Sequence, residues 1–267
     1  MIARVVGGLG NQLFIYAAAR ALALDRGARA VLDVSYYRFY LDRHYAIGDL
    51  VAAETLVDPV VVRDWRNSPW IDRALIAWRH RAQLIRQRGY AFGDEFAGVR
   101  RRRLYLDGYW QSPRYFDHHA ELLRNELRPP APVEEVVGLH VRRGDYVTDP
   151  GAAAVMGFVG ADYYRRAVER LRAELGDGFE LRVFSDDPQW CSSELQVDHP
   201  FTVVEPGPAA HDLLAMSNCR HLVTANSSFS WWAAWLRPDP GITIAPANWF
   251  SGGLPTHDLL PASWQQI

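Results

Sequence analysis

The apolar positions of the chain follow two alternating periods. Residues 2–6 form a short, mostly apolar run, Gly7-Gly8-Leu9-Gly10 interrupts it, residues 11–26 repeat their apolar side chains at helical spacing up to Gly27, and 30–34 is again a short apolar run. This predicts strand, glycine turn, helix and strand, the opening of a parallel sheet. From 51 to 103 the pattern reads as helical and arginine-rich, with little strand signal. The sequence Arg128-Pro129-Pro130-Ala131-Pro132 stops a helical stretch, because proline cannot continue a helix. Beyond it the alternation becomes regular. Strands are predicted at 136–141, 181–185, 202–204, 222–225 and 242–245. Between them, Tyr164, Ala167, Val168, Leu171 and Leu175 fall at helical spacing closed by Gly176, and further helices are predicted from Pro188, at 211–219 and at 229–236. The reading is an α/β chain of two units, 1–128 and 133–267, without an internal repeat. Parallel sheets of this kind bind ligands beyond the carboxyl ends of their strands, so residues just past each strand carry the functional question.

Composition narrows the chemistry. With 49% hydrophobic and 22% charged residues the chain is globular. No apolar run approaches the roughly 18 residues that span a bilayer, so no transmembrane segment, anchor or signal peptide is expected. Cys191 and Cys219 are too few for a disulfide framework or a structural zinc set, which points to a cytoplasmic setting. At a net charge of -2 no nucleic-acid partner is expected. Every basic residue is arginine, since the sequence contains no lysine. A Walker lysine, a pyridoxal Schiff base and a lysine general base are thereby excluded. Arginine is also the better fork for a diphosphate. Residues 1–130 hold 20 arginines against 14 acids and 131–267 hold 9 against 17, an asymmetry that agrees with two units. The four arginines at 100–103 read as a solvated face or as a means of steering an anionic acceptor.

Four constellations stand at predicted strand ends. Gly7-Gly8-Leu9-Gly10-Asn11-Gln12 is a glycine turn whose backbone can approach a phosphate, or one needed only for close packing. It nearly fits a dinucleotide fingerprint, with Asp33 ending the second strand, but Leu13 occupies the third glycine position. His140-Val141-Arg142-Arg143-Gly144-Asp145-Tyr146 places two guanidiniums side by side, which calls for anionic company. Either Asp145 and Asp149 supply it as a structural cluster, or Asp145 holds one arginine and the other is aimed at a diphosphate leaving group. In Phe184-Ser185-Asp186-Asp187, one carboxylate suits a ribose or base and the other a cap ahead of Pro188. An Asp-x-Asp metal pattern does not occur in the chain. Asn226-Ser227-Ser228-Phe229-Ser230 combines hydroxyls with helix-start amides suited to a phosphate. Trp231, Trp232 and Trp235 beyond it read as core.

Together these segments resemble the fucosyltransferases of glycosyltransferase family 11, the α-1,2 type, with the α-1,6 and protein O-fucosyltransferases behind them. The resemblance rests on GGLGNQLF at 7–14, GYWQSPRYF at 108–116, HVRRGDY at 140–146, FSDD at 184–187 and MSNCRHLVTANSSFSWWAAWL at 216–236, in family order across nearly the whole chain. No family motif falls in 51–103, and Ile15 stands where the family usually carries Gln.

The resemblance implies a GT-B-like fold of two Rossmann-like domains, an acceptor-side N-terminal one and a donor-binding C-terminal one. It implies an inverting transfer of L-fucose from GDP-fucose to a galactose-containing glycan, at O-2, without an essential metal or other cofactor; the product would serve a bacterial surface polysaccharide. By analogy His140 contacts the guanine-ribose end, Arg142 the β-phosphate with Arg143 beside it, and Asp186 the ribose or base. Asn226, Ser227, Ser228 and Phe229 bracket the diphosphate and nucleoside, and Gly8, Gly10 and Asn11 approach the reacting centre. Arg142, Asn11 and Asp145 are the candidate catalytic residues, Asp145 as a base if one is needed. Three alternatives stay open: a related enzyme using another GDP-sugar, an NAD(P)-dependent oxidoreductase using Gly8, Gly10 and Asp33, and a non-catalytic carbohydrate-binding protein reading sugars with its aromatic side chains.

Overall fold

The structure is a computed structural model and describes residues 1–38, 43–56, 70–144, 147, 157, 159–251 and 257–267. The chain divides into two compact units, Met1–Leu127 with His257–Leu259, and Arg128–Thr256 with Leu260–Ile267.

The first unit is built on a parallel sheet of β1 (Ile2–Arg4), β2 (Val31–Asp33), β3 (Glu54–Leu56), β4 (Gln83–Arg86) and β5 (Leu104–Asp107) in the order β3-β2-β1-β5-β4. Between β1 and β2 runs helix α1 (Leu9–Asp25), whose residues from Leu13 to Ala19 are all buried. A helix apolar on all sides belongs inside a domain, and its alanines let it lie close to its neighbours. It begins at Leu9, two residues before the predicted start, because the turn is completed by Gly7 at φ +77° and the extended Gly8. Gly10 therefore lies in the first helical turn and not in a loop.

The region 51–103 corrects the sequence reading. Besides helix α2 (Trp70–Arg79) it contributes the two edge strands β3 and β4, and β5 follows immediately after the exposed arginines at 100–103. Edge strands of three or four residues need few apolar side chains, since one margin faces solvent; Glu54 and Thr55 of β3 are exposed. Their hydrophobic signal is correspondingly faint. Helix α3 (Ala120–Leu127) buries Leu123 and Leu127 and closes the unit.

The second unit holds β6 (Glu134–Val141), β7 (Glu180–Ser185), β8 (Thr202–Val203), β9 (Cys219–Val223), β10 (Thr243–Ala245) and β11 (Gln265–Gln266), all parallel, in the order β11-β10-β9-β6-β7-β8. The last six residues of β6 are buried, as a central strand covered on both faces requires. Helices α4 (Ala161–Leu175), α5 (Pro188–Glu194), α6 (Ala209–Asn218) and α7 (Ser228–Trp235) alternate with the strands. Two details depart from expectation. Cys219 opens β9 instead of closing the preceding helix, and the polar pair Gln265–Gln266 adds a sixth strand that its side chains do not announce.

The tryptophans of α7 are core, with Trp231 and Trp232 inaccessible and their rings 5.2 Å apart. Just beyond the helix, the buried Arg237 donates to the carbonyl oxygens of Ala234, Arg220 and Ile242 and to Thr243 Oγ1. It joins the end of α7 to the β9 and β10 segments. Burial pulls its pKa down to about 10, so it remains a cation at neutral pH.

Candidate active site

Strand register assembles the site of the second unit. Val141 of β6 lies opposite Ser185 of β7, so one further step sets Arg142 beside Asp186 at the carboxyl edge. There Arg142 Nη1 meets Asp186 Oδ2 at 2.7 Å, and the backbone N–H of Arg143 donates to Asp186 Oδ1 at 2.9 Å. The approach needs glycine at 144, where a Cβ would collide with Asp186 Oδ2. Arg143 turns the other way: its Nε donates to Asp187 Oδ2 at 3.0 Å and its guanidinium lies 4.1 Å over the Trp190 ring. Asp187 also caps α5 by accepting from Trp190 N at 3.1 Å. Both guanidiniums thus take their carboxylates from the FSDD segment. Asp145, expected to hold one of them, lies outside the described residues, as does Asp149.

On the other side of β6, Leu139 lies opposite Val223 of β9, which brings the start of α7 to the same edge. His140 and Phe229 have ring centroids 5.7 Å apart. Ser227 caps α7, its Oγ accepting from Phe229 N at 3.3 Å, and Ser228 opens the helix. Asn226 is buried and donates through Nδ2 to the carbonyls of Gly157 (3.2 Å) and Trp249 (3.1 Å), so its amide shapes the loop. His140 is 4% exposed, and its Nδ1 has no hydrogen-bond partner among the described residues. Burial, aided by the Arg142 charge, drives its pKa down to about 3. It is a neutral imidazole at physiological pH, able to orient a ligand but unfit to exchange protons there. A buried nitrogen without a partner among the described residues is costly, and this one stands at the carboxyl end of β6.

In the first unit the two glycine-bearing motifs touch. Asn11 Oδ1 accepts from Gln111 Nε2 at 2.7 Å, and Phe14 and Phe116 have ring centroids 6.0 Å apart. Gln12, fully buried, donates to the carbonyls of Gly7 (3.0 Å) and His44 (2.7 Å) and accepts from Ala46 N (2.9 Å) and Ile47 N (3.1 Å). It fixes the turn, leaving the backbone at Gly8 with open space where a side chain would stand. Past the ends of β1, β4 and β5 lies a pocket of about 270 Å³ lined by Arg4, Arg86, Gln87, Tyr90, Asp107 and Tyr109, among others. Asp107 pairs there with Arg4 at 3.3 Å and Arg86 at 3.5 Å. Asp33 serves no such site: it is buried, accepting from Ser35 N at 3.0 Å, Ser35 Oγ at 2.5 Å and Tyr105 OH at 2.5 Å. Both its oxygens are engaged internally, which removes the ribose ligand from the dinucleotide alternative.

Among the described residues, the one group of three or more His, Cys, Asp or Glu side chains converging as metal ligands is Asp25, His118 and His119 in the first unit. Asp186 and Asp187 belong to no such group. The family model of glycosyl transferase family 11 matches residues 66–264. The chain belongs to this family.

Over its full length this family 11 chain is 31% identical to the α-1,2-colitosyltransferase of Escherichia coli, 98% of which is covered. It is 28% identical to human galactoside α-(1,2)-fucosyltransferase 1, over 91% of the chain and 66% of that protein. Among solved structures it resembles the E. coli heptosyltransferase WaaC with ADP-2-deoxy-2-fluoro heptose, at a TM-score of 0.50 and 14% identity, over 100% of this chain and 92% of that one. The fold is α/β of the GT-B type with two parallel sheets. No helix among the described residues is long and apolar enough to cross a membrane.

Reading the family 11 sequence by itself misses Trp190 as the platform under Arg143, because a contact across 47 positions leaves no local signal. The cap at Asp187 is legible from Asp-Pro. Asp187→Ala is expected to cost about 1 kcal/mol through the lost cap, whereas Asp187→Asn, which still caps, costs a few tenths. Urea unfolding of the two variants distinguishes them.

Proposed function

We propose that the protein is an inverting α-1,2-fucosyltransferase that moves L-fucose from GDP-fucose to O-2 of a galactoside. The observation carrying this reading is the Arg142–Asp186 pair at the end of the central strand, beside the α7 start and the His140 nitrogen that has no hydrogen-bond partner among the described residues. When the fucosyl C1–O bond breaks, its electron pair leaves on the β-phosphate of GDP. Negative charge grows there, and in a lysine-free chain arginine and oriented amides are the protein groups suited to meet it. Asp186 fixes the plane of the Arg142 guanidinium in advance, so little reorganisation accompanies charge development. Ser227, Ser228 and the opening amides of α7 offer further donors to the diphosphate. His140, neutral and buried, offers its ring to the nucleoside end.

The acceptor hydroxyl attacks C1 from the opposite face and loses its proton to Asp145, to water or to a phosphate oxygen. We assign the acceptor to the first unit, where Gly8, Gly10 and Asn11 follow β1 and where the pocket bearing Arg4, Arg86 and Asp107 combines charged forks with tyrosines, a lining suited to sugar hydroxyls and ring faces. A second reading, transfer of colitose, draws on the E. coli relative of that name. Incubation with GDP-fucose, GDP-colitose and other GDP- and UDP-sugars, with lactose or another galactoside and with or without EDTA, tests both. Turnover of GDP-fucose that persists in EDTA is the expected outcome; turnover of GDP-colitose alone establishes the second reading, and turnover of neither overturns both.

A further inference from the structure

We propose that Asp25, His118 and His119 form a binding site for one late first-row divalent metal ion, such as zinc, on the first unit. Asp25 is the last residue of α1, and the histidines end the 3-10 turn Asp117–His119 that leads into α3. Across more than ninety positions of sequence the three side chains converge. His118 Nε2 lies 3.0 Å from Asp25 Oδ2, His119 Nε2 lies 2.8 Å from Asp25 Oδ1, and one ligand atom from each residue falls within 4.8 Å of the others.

This convergence is not a by-product of backbone periodicity. Successive residues of a 3-10 turn leave its axis about 120° apart, yet both rings bend to one carboxylate, with centroids 4.5 Å apart and planes inclined at 48°. With zinc about 2.0–2.1 Å from each ligand, tetrahedral geometry separates ligand atoms by about 3.3 Å. Each imidazole nitrogen already lies within 3.0 Å of one Asp25 oxygen, and one ligand atom from each residue falls within 4.8 Å of the others, so rotation of these partly exposed side chains can bring the set to that spacing. The ion takes the place of the protons now shared between the imidazoles and the carboxylate.

The donor set chooses the metal class. Two imidazole nitrogens and one carboxylate suit zinc, nickel, cobalt or copper, whereas magnesium and calcium prefer oxygen alone. The side chains of Asp25, His118 and His119 are 43%, 48% and 27% exposed, so solvent and exchanging ligand can complete the coordination. His118 and His119 also line a shallow groove of about 560 Å³ that includes Glu121, a further negative charge favouring a cation. A bound ion staples the end of α1 to the segment ahead of α3. The site involves none of the residues assigned to sugar transfer, and its metal is not expected to enter that reaction.

The test uses untagged, chelator-stripped protein titrated with zinc sulfate by calorimetry. One ion per chain at micromolar affinity is expected. Asp25→Asn, His118→Ala and His119→Ala should each weaken binding at least tenfold, while His211→Ala, at an exposed histidine outside the cluster, leaves it unchanged. Zinc at a hundredfold excess over Kd should raise the Tm of the wild type by about 5 °C and not that of the double histidine variant. Far-ultraviolet circular dichroism of the metal-free variants checks their folding. Should one fail that check, the cobalt-loaded wild type decides instead, since tetrahedral coordination by imidazole gives intense visible absorption and its absence overturns the site. Binding to the folded double variant with wild-type affinity, or no saturable binding below about 100 µM, also overturns it.

Discussion

Arg142→Ala is expected to lower kcat for GDP-fucose transfer about a hundredfold, with a smaller change in KM for the donor. The proposed role sets this split: a guanidinium facing the departing β-phosphate interacts more strongly with the fuller negative charge of the transition state than with the intact donor. A hundredfold loss corresponds to about 2.7 kcal/mol of transition-state stabilisation. Arg142→Lys should recover little of it. An ammonium has neither the planar fork nor the reach to keep Asp186 at 2.7 Å and a phosphate oxygen together. Asp186→Asn keeps the size of the side chain but frees the guanidinium from its ion pair, and an intermediate loss is expected. Initial-rate kinetics on folded variants, checked by circular dichroism, measure all three. Near-normal turnover of Arg142→Ala removes that residue from the chemistry.

The sequence reveals the architecture of the second unit more fully than that of the first. β6 is a buried central strand with an apolar run, and α4 carries the long amphipathic repeat that a helix covering a sheet must have. Their order alone implies parallel strands with functional loops at the carboxyl ends. β3, β4 and β11 are short edge strands, and their polar residues are tolerated because only one margin is paired. The site shows the same division. That HVRRGDY, FSDD and NSSFS sit at strand ends is readable from spacing. Which carboxylate serves which arginine is not, because it follows from the register of β6 on β7, a non-local quantity that a single chain of letters does not display. Nearness in sequence suggests Asp145 as a partner, and it carries no hint of the ion pairs seen among the described residues, Arg142 with Asp186 and Arg143 with Asp187, each joining positions more than forty residues apart. Asp33 teaches the converse: its place after a strand suits a ribose ligand, but Ser35 and Tyr105 occupy its oxygens.

His140 is expected to make the protein acid-labile. Its pKa lies near 3 in the folded chain, against an ordinary value of 6.5, because burial and then the Arg142 charge oppose protonation. Between those values the unfolded chain binds a proton that the folded chain refuses. The stability associated with the neutral imidazole is therefore complete above pH 6.5 and declines as the pH falls toward 3. From pH 6.5 to 4.5 that decline amounts to about 2.5 kcal/mol from this one residue, at about 1.36 kcal/mol per pH unit. Other groups titrate in the same interval, so the measurement is a difference. Urea unfolding at pH 7.0 and 4.5 is compared for the wild type and for His140→Phe, whose ring occupies similar space beside Phe229 and cannot be protonated. The wild type should lose about 2.5 kcal/mol more than the variant. Equal losses would mean that the imidazole is hydrated or charged in the folded protein, and its proposed place as a neutral contact for the nucleoside would fall with it.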